Sequence, residues 1–201
     1  MLKRAFDATL AGAGLILSAP LWAIFAAAIR IEDGGPVFYR QRRVGLGGRT
    51  FEALKFRSMR PDAERATGAV QATEDDPRVT RVGRLMRATA MDELPQLVNI
   101  LRGDMSFVGP RALRPGEIET SSNGRLERLE DVPGFERRIR VRPGLTGLAQ
   151  VYAPRDVRRR QKFKYDRLYV DRRSWCLDLR LILLSFWISV LGRWEVRGRK
   201  Y

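Results

Sequence analysis

The chain has 201 residues, with 38 lysines and arginines against 23 aspartates and glutamates, and a formal net charge of +15. This length fits one domain, and the charge predicts an anionic partner such as nucleic acid, lipid headgroups or a phosphorylated substrate. The absence of histidine excludes Ser-His-Asp triads and His-ligated zinc, and the single cysteine, Cys176, excludes an internal disulfide. Any catalysis must use carboxylates, lysine, arginine, hydroxyls or a hard metal ion.

The first element is an uncharged run of 22 residues, 8–29. As one straight helix it would reach roughly 33 Å, about the thickness of a bilayer core. A cleaved signal peptide is a poorer interpretation, because the run is longer than the apolar part of such a peptide. Residues 8–29 therefore belong in a membrane.

The course of this helix is open from the residues alone. Lys3 precedes the run and Arg30 follows it, and positive charge on both sides fits poorly with one cytoplasmic end. Pro20 removes a helical N–H and bends the axis, while Ser18 could hydrogen-bond the loosened backbone. A helix that dips in and returns would place every basic residue on one face. A spanning helix is slightly favoured, because proline-kinked spanning helices are common.

Residues 37–44 and 50–59 are two β-rich runs about the sequence GLGG, and we predict a hairpin. GLGG lacks the spacing of a P-loop or a dinucleotide fingerprint, which favours a turn over a phosphate cradle. Residues 61–79 are polar and acidic and are predicted to form a loop or a short helix.

The next stretch begins MDELPQ and contains two adjacent carboxylates, Asp92 and Glu93. Apolar spacing predicts a helix over residues 93–101, ending near Gly103, with Asp92 as its N-cap. Spacing alone favours this capping role, since acids are common at helix N-termini. Alternatively, positive surroundings would lower the pKa of Asp92 and keep it ionised as a nucleophile or metal ligand. Glu93 would add a second hard oxygen donor, suited to Mg²⁺ bridged to substrate phosphates.

Residues 117–136 alternate in charge and indicate a surface helix or loop, and residues 141–147 are turn-rich. A basic helix is predicted over residues 158–171. Residues 181–192 are uncharged but too short to span a bilayer, which predicts an interfacial helix or one packed on the core. We expect Cys176 to pack near this segment.

Several long motifs occur in a fixed order: GPVFYRQRRVGLGG, FEALKFRSM, DELPQLVNILRGDMSFVGPR and VRPGLTGLAQV. Over residues 3–169 the chain resembles the bacterial sugar transferases known as monotopic phosphoglycosyl transferases. Together with the elements above, the resemblance implies an α+β, mainly helical fold. Residues 1–32 would form a re-entrant membrane helix broken at Ser18 and Pro20. Residues 33–201 would form one catalytic domain with a small hairpin and interfacial helices, facing the cytoplasm at the bacterial inner membrane.

The resemblance implies transfer of a phosphosugar from a UDP-sugar to undecaprenyl phosphate, giving UMP and a polyprenyl-diphosphate sugar, the first membrane step of glycoconjugate or exopolysaccharide synthesis. Asp92 would attack the sugar-bearing phosphate and form a covalent phosphosugar intermediate. Glu93 would assist, and both carboxylates would bind Mg²⁺.

Matching residue by residue extends the expected site. Lys55 and Arg87 would contact the phosphates, and Arg111 would help to bind the nucleotide-sugar. Four residues of RPGLTGLAQ would line the same pocket: Arg142, Thr146, Gly147 and Gln150. The chain departs from the family pattern at Ala19, between Ser18 and Pro20, and at Ala112, where proline is common.

The expected partners are a UDP-sugar, undecaprenyl phosphate and a bilayer with anionic headgroups, without nucleic acid, and homo-oligomer formation is left open. The competing hypothesis is a basic protein without catalysis that docks on anionic lipid or nucleic acid through runs such as residues 158–160. A membrane scaffold without chemistry would leave Lys55, Arg87, Asp92 and Arg111 unexplained.

Overall fold

The computed structural model describes residues 2–63, 76–120, 125–154 and 157–194. Parts of the segments 61–79 and 117–136 lie outside the described residues. The fold is mainly helical with small sheets, as predicted. In chain order the elements are α1 (Leu2–Asp33), β1 (Phe38–Val44), β2 (Thr50–Phe56), α2 (Arg81–Ala88), α3 (Gln96–Arg102), β3 (Ser106–Val108), β4 (Ile118–Thr120), β5 (Leu126–Arg128), α4 (Phe135–Arg138), β6 (Gly144–Thr146), α5 (Leu148–Tyr152), α6 (Arg159–Arg172) and α7 (Trp175–Val190).

Helix α1 is long and apolar enough to cross a membrane, with a mean hydropathy of 1.9 over its most apolar window. It is helical from end to end, so the interruption expected at Ser18 and Pro20 is not present. Proline removes one hydrogen bond, a loss that a helix of 32 residues tolerates. Ser18 is buried and its hydroxyl accepts a hydrogen bond from Trp22 Nε1 at 3.1 Å. The re-entrant course of the helix stays a prediction.

The N-terminal end of α1 is fixed to the domain by charged side chains. Lys3 Nζ lies 2.5 Å from a carboxylate oxygen of Asp178 in α7. Arg4 donates to two carbonyl oxygens at the end of α3, at 2.6 and 2.5 Å. Asp7 is buried and accepts the backbone N–H of Phe107 in β3. Three separate elements therefore contact the first two turns of the helix.

The C-terminal end of α1 is fixed to the same domain. Arg57, which follows β2, forms a salt bridge with Asp33. Glu32 accepts the first backbone N–H groups of α2, from Arg81 at 2.6 Å and Val82 at 3.1 Å. Acceptors at a helix N-terminus satisfy donors that have no partner within the helix. The last turn of α1 thus caps α2.

Strands β1 and β2 form the predicted antiparallel hairpin, with Phe38 opposite Phe56 and Val44 opposite Thr50. The GLGG segment is a tight turn in which Gly47 has a φ of 64°, a left-handed conformation that glycine adopts easily. Both hairpin predictions are confirmed.

Asn99 in α3 joins this helix to the free edge of β2. Its Oδ1 accepts the backbone N–H of Leu54 at 3.0 Å, and its Nδ2 donates to the carbonyl of Glu52 at 2.7 Å. The side chain is 1% exposed. Beside it, Leu97 and Ile100 pack against Ala11 of α1 in one apolar cluster. The hairpin, α3 and α1 therefore form a single packed unit.

Two sheet pairings were missed in the sequence. The turn-rich segment 141–147 contains β6, which pairs in parallel with β3 because glycines allow their backbones to approach closely. A Cβ on Gly144 would lie 2.1 Å from the N atom of Gly109. In the described part of segment 117–136, β4 and β5 form a short antiparallel pair, and of the two alternatives predicted there, a surface helix or a loop, the helix occurs only as the single turn of α4.

The predicted basic helix is confirmed as α6, and the apolar C-terminal segment lies in α7. Leu181 and Ile188 on one side of α7 are fully buried against α5, α6 and β3. Cys176 is exposed, so the expectation that it packs near this segment is wrong. The exposed side of α7 is an apolar stripe, made of Trp175, Leu179, Leu183, Phe186, Trp187, Val190 and Leu191.

We predict that Asn99→Ala lowers the free energy of unfolding by about 3 kcal/mol, because the buried backbone groups of Glu52 and Leu54 lose their partners. Leu101→Ala, on the exposed side of the same helix, is the control, with an expected loss below about 1 kcal/mol. Chemical denaturation in detergent measures both, and equal losses would contradict the role assigned to Asn99.

Candidate active site

The adjacent carboxylates lie in a turn between two helices. Ala90, which lies between α2 and the turn, has a φ of 57°, a left-handed conformation that is costly for a residue with a Cβ. Residues Met91–Glu93 form a 3₁₀ turn, and α3 starts only at Gln96. The predicted capping role of Asp92 is wrong, because the Leu94 N–H already bonds to the Met91 carbonyl and the following proline has no N–H to cap.

Glu93 is a shared acceptor for two cations. Its Oε1 lies 2.5 Å from Lys55 Nζ and 2.8 Å from Arg111 Nη2. Lys55 belongs to β2, and Arg111 follows β3, so one oxygen connects two distant parts of the chain. The side chains of Glu93 and Lys55 are 12% and 15% exposed, which shields this contact from solvent.

Asp92 differs from Glu93 in having no such partner. It is 9% exposed, and within the described ranges no hydrogen bond or salt bridge reaches its carboxylate. A buried, unpaired carboxylate is costly, so such a group is usually paired, protonated or functional. Its oxygens are available to a phosphorus atom or a metal ion.

Burial raises the pKa of Asp92 to about 6, although the charge of Lys55 acts in the opposite direction. The expectation of a lowered pKa is wrong, because loss of hydration outweighs the nearby cations. Burial acts on Glu93 too, but Arg111 and Lys55 hold its pKa well below the usual range. Glu93 in turn raises the pKa of Arg111, whereas burial lowers that of Lys55. The two carboxylates thus have different environments, and Asp92 is still about nine-tenths ionised at pH 7.

A cleft opens beside Glu93. Lys55 and Arg111 line it, and Ala112, the departure from the family pattern, also contributes. Arg87, in the last turn of α2, is close enough for its charge to lower the pKa of Asp92. The other lining residues are Arg43, Ala53, Gln96, Met105 and Gly144.

Four further expected site residues lie outside this lining and make structural contacts. Arg142 Nε donates to the carbonyl of Gly103 at 2.8 Å. Thr146 is buried and shares a hydrogen bond with Ser185 in α7. A Cβ on Gly147 would lie 2.2 Å from the carbonyl oxygen of Gly109 and 2.8 Å from Oε1 of Gln150, which is itself buried. Their part in substrate binding stays a prediction.

Sequence reasoning did not find two of the residues that line the cleft. Arg43 is preceded by Gln41 and Arg42, so polar side chains lie on both faces of β1 and alternation gives no signal. Gln96 is a polar residue in the predicted helix with no sequence signal of burial, yet it is 5% exposed. Only their places in the fold reveal them.

Within the described residues no cluster of three or more cysteine, histidine or acidic side chains could hold a metal ion. The carboxylates of Asp92 and Glu93 are two hard donors on adjacent residues. Mg²⁺ typically binds one or two carboxylates and completes its coordination with water and substrate phosphates. The donor set therefore fits Mg²⁺ only together with a phosphorylated ligand.

The site combines a carboxylate without a partner with a neighbouring acid that binds two cations. A long apolar helix is fixed to the same domain. These features are typical of a membrane-associated site for phosphorylated substrates. Residues 1–192 match the family model described as bacterial sugar transferase, and the chain belongs to this family.

Named relatives agree with this membership. The chain is 38% identical over 207 residues to the exopolysaccharide production protein ExoY of Rhizobium meliloti, covering 96% of this chain and 87% of that protein. It is 40% identical over 200 residues to the undecaprenyl-phosphate glucose phosphotransferase of Komagataeibacter xylinus, covering 95% of this chain but 36% of that protein. It is 37% identical over 190 residues to the UDP-glucose:undecaprenyl-phosphate glucose-1-phosphate transferase of Escherichia coli, covering 92% of this chain and 39% of that protein.

We predict that Asp92 in the metal-free protein titrates near pH 6, ionised above this value and protonated below it. Carbonyl ¹³C NMR of aspartate-labelled protein measures the midpoint, and Asp92→Asn assigns the signal. Glu93→Gln removes a like charge and leaves Lys55 and Arg111 unneutralised, so the midpoint should fall. A midpoint at or below about 4 in the parent chain would contradict the effect of burial.

Proposed function

We propose that this protein transfers a phosphosugar from a UDP-sugar to undecaprenyl phosphate through a covalent intermediate on Asp92, releasing UMP. The observation that carries the proposal is the contrast within the carboxylate pair. Glu93 is held by Lys55 and Arg111, whereas Asp92 is buried without a partner beside the same cations. The relatives' names supply the substrate class, with a glucosyl donor as the first to test.

In the first step, a carboxylate oxygen of Asp92 attacks the phosphorus atom that bears the sugar. The bond from this phosphorus to the bridging oxygen breaks, and the electron pair leaves on the phosphate of UMP. In the second step, an oxygen of undecaprenyl phosphate attacks the same phosphorus and restores the carboxylate. Neither step requires a histidine or a proton transfer, which agrees with the composition of the chain.

The chain's own residues have separate tasks in this scheme. A high fraction of ionised Asp92 at pH 7 keeps the nucleophile available, and its poor hydration makes it more reactive. Lys55, Arg87 and Arg111 would stabilise negative charge on the phosphates. Asp92 and Glu93 would hold Mg²⁺, which would neutralise charge on the donor diphosphate. Arg142, Thr146, Gly147 and Gln150 would shape the surrounding pocket.

We also propose that α1 enters and leaves the membrane on the same, cytoplasmic side. Lys3, Arg4 and Asp7 at one end and Glu32 and Asp33 at the other all contact the domain. A spanning helix would carry one of these ends to the opposite face, away from the domain.

The surface of the molecule supports this membrane placement. Large apolar residues near the middle of α1 are exposed, with Ile16 at 76%, Leu17 at 80% and Ile24 at 60%. The apolar stripe of α7 is also exposed, as expected of a helix that lies at the bilayer surface. We propose the bacterial inner membrane as the location, with anionic headgroups attracted by the net charge.

We predict that Asp92→Asn abolishes both UMP release and transfer, by roughly a thousandfold or more, because the amide cannot act as the nucleophile. Protein incubated with Mg²⁺ and UDP-glucose without lipid should gain the mass of one phosphosugar on Asp92, measured by peptide mass spectrometry after acid quenching. A panel of other UDP-sugars, scored by UMP release with undecaprenyl phosphate, identifies the donor.

The control for this variant is Asp131→Asn, an exposed carboxylate on another turn, which should react as the parent does. If Asp92→Asn still released UMP in the absence of lipid, a nucleophile other than Asp92 would be acting. If no adduct formed on the parent chain with any active donor, direct attack by the lipid phosphate would replace the covalent route.

We predict that the two ends of α1 are accessible from the same side. In a Cys176→Ser background, Leu2→Cys and Ile31→Cys place single thiols at exposed positions, 72% and 84%, near the two ends. A membrane-impermeant maleimide should label both in inverted membrane vesicles and neither in intact spheroplasts. Labelling of one position from each side would show that α1 spans the membrane.

A further inference from the structure

Arg43 lines the catalytic cleft but contacts only neutral groups. Its Nη1 donates to the backbone carbonyl of Ala112 at 2.8 Å, and its Nη2 donates to the side-chain oxygen of Gln41. Within the described part of the chain, no carboxylate lies within salt-bridge distance of this guanidinium. By contrast, the buried Arg57 has a carboxylate partner, Asp33.

The surroundings of Arg43 are also positive. Burial, followed by the charges of Arg111 and Arg114, lowers the pKa of Arg43 to about 10, and Arg159 acts in the same direction. We call the set Arg43, Arg111, Arg114 and Arg159 the arginine wall.

The carboxylate nearest to this wall is already engaged. The charged neighbours that shift the pKa of Arg43 are three arginines and one acid, Glu117, whose charge raises this pKa. Its Oε1 lies 2.9 Å from Arg159 Nε, and its Oε2 accepts the backbone N–H of Arg114 at 3.1 Å. Glu93, which lines the cleft with Arg43, is shared by Lys55 and Arg111. Neither of these two acids is therefore a salt-bridge partner of Arg43.

A partly buried cation without a carboxylate partner, such as Arg43, is costly, and a bound anion removes this cost. The donor of the proposed reaction brings two phosphates. Lys55 and Arg111 lie beside the carboxylates, where the sugar-bearing phosphate must be for attack by Asp92. The second phosphate, which belongs to the nucleotide, requires a further cation in the same cleft, and Arg43 lines this cleft together with Lys55 and Arg111.

We propose that Arg43 binds the nucleotide's own phosphate, the group that leaves with UMP. The proposal rests on the proposed function. When the bond to the sugar-bearing phosphorus breaks, negative charge develops on an oxygen of this phosphate. A guanidinium already oriented by Ala112 and Gln41 can stabilise that charge with little reorganisation. The polyprenol phosphate is the other anion that could use the same cation.

The test compares Arg43→Gln, Arg43→Lys and Arg42→Gln. Arg42 is the matched control, because it is the exposed neighbour on β1. UMP and UDP binding are measured by calorimetry and by the nucleotide-induced rise in melting temperature, with no lipid present. Arg43→Gln should weaken UMP binding roughly tenfold or more, and Arg43→Lys should restore part of it, whereas Arg42→Gln should bind UMP as the parent does.

Stability and kinetics give two independent readouts. Without nucleotide, Arg43→Gln should melt no lower than the parent, because it removes a charge that has no carboxylate partner. In the full reaction, the KM for the UDP-sugar should rise with unchanged KM for undecaprenyl phosphate. A marked fall in melting temperature without nucleotide would show that Arg43 is structural and would overturn the proposal.

The remaining outcomes are also decisive. Unchanged UMP binding in Arg43→Gln would overturn the proposal, and a raised KM for undecaprenyl phosphate alone would assign Arg43 to the lipid phosphate. Nucleotide binding by the parent chain with no turnover of any UDP-sugar would count against the proposed function, while the comparison of the Arg43 variants would still stand.

Discussion

A single oxygen of Glu93 accepts hydrogen bonds from Lys55 and Arg111, and the arrangement of the catalytic cleft depends on this contact. The lysine comes from the hairpin and the arginine from the loop after β3, so the two cations would repel each other without the carboxylate between them. Because Glu93 is neutralised in this way, its neighbour Asp92 is left buried and without a partner. The pair thus separates into an acid paired with two cations and an acid without a partner, although the two residues are adjacent in sequence.

The membrane helix is part of the same arrangement. Its last turn caps α2 through Glu32, and α2 is followed by the left-handed Ala90, which leads into the carboxylate turn. Its first turns contact β3, α3 and α7 through Asp7, Arg4 and Lys3. A displacement of α1 in the bilayer would therefore move elements that position both carboxylates. Fixing the helix at both ends therefore keeps the cleft at a defined position relative to this helix.

Much of the local structure could be predicted from the sequence. The β-rich runs about GLGG gave the hairpin, and the basic run 158–171 gave α6, since both signals are local. The parallel pairing of β3 with β6 could not be predicted, because it joins segments almost 40 residues apart and depends on close approach of Gly109 and Gly144. The predicted role of Asp92 as a helix N-cap was wrong for a related reason. Spacing places an acid before a helix, but the 3₁₀ turn and Pro95 leave it nothing to cap.

The sequence by itself determined the available chemistry: without histidine and with one cysteine, only carboxylates, cations, hydroxyls and a hard metal ion could act. Its ordered motifs also predicted the family. Only the tertiary structure decided which carboxylate is free, that burial raises rather than lowers the pKa of Asp92, and that Arg43 enters the cleft without a counter-charge. The physical reason is that hydration and charge pairing depend on neighbours brought together by folding, and those neighbours are distant in sequence, as Arg43 and Ala112 are at 69 positions apart.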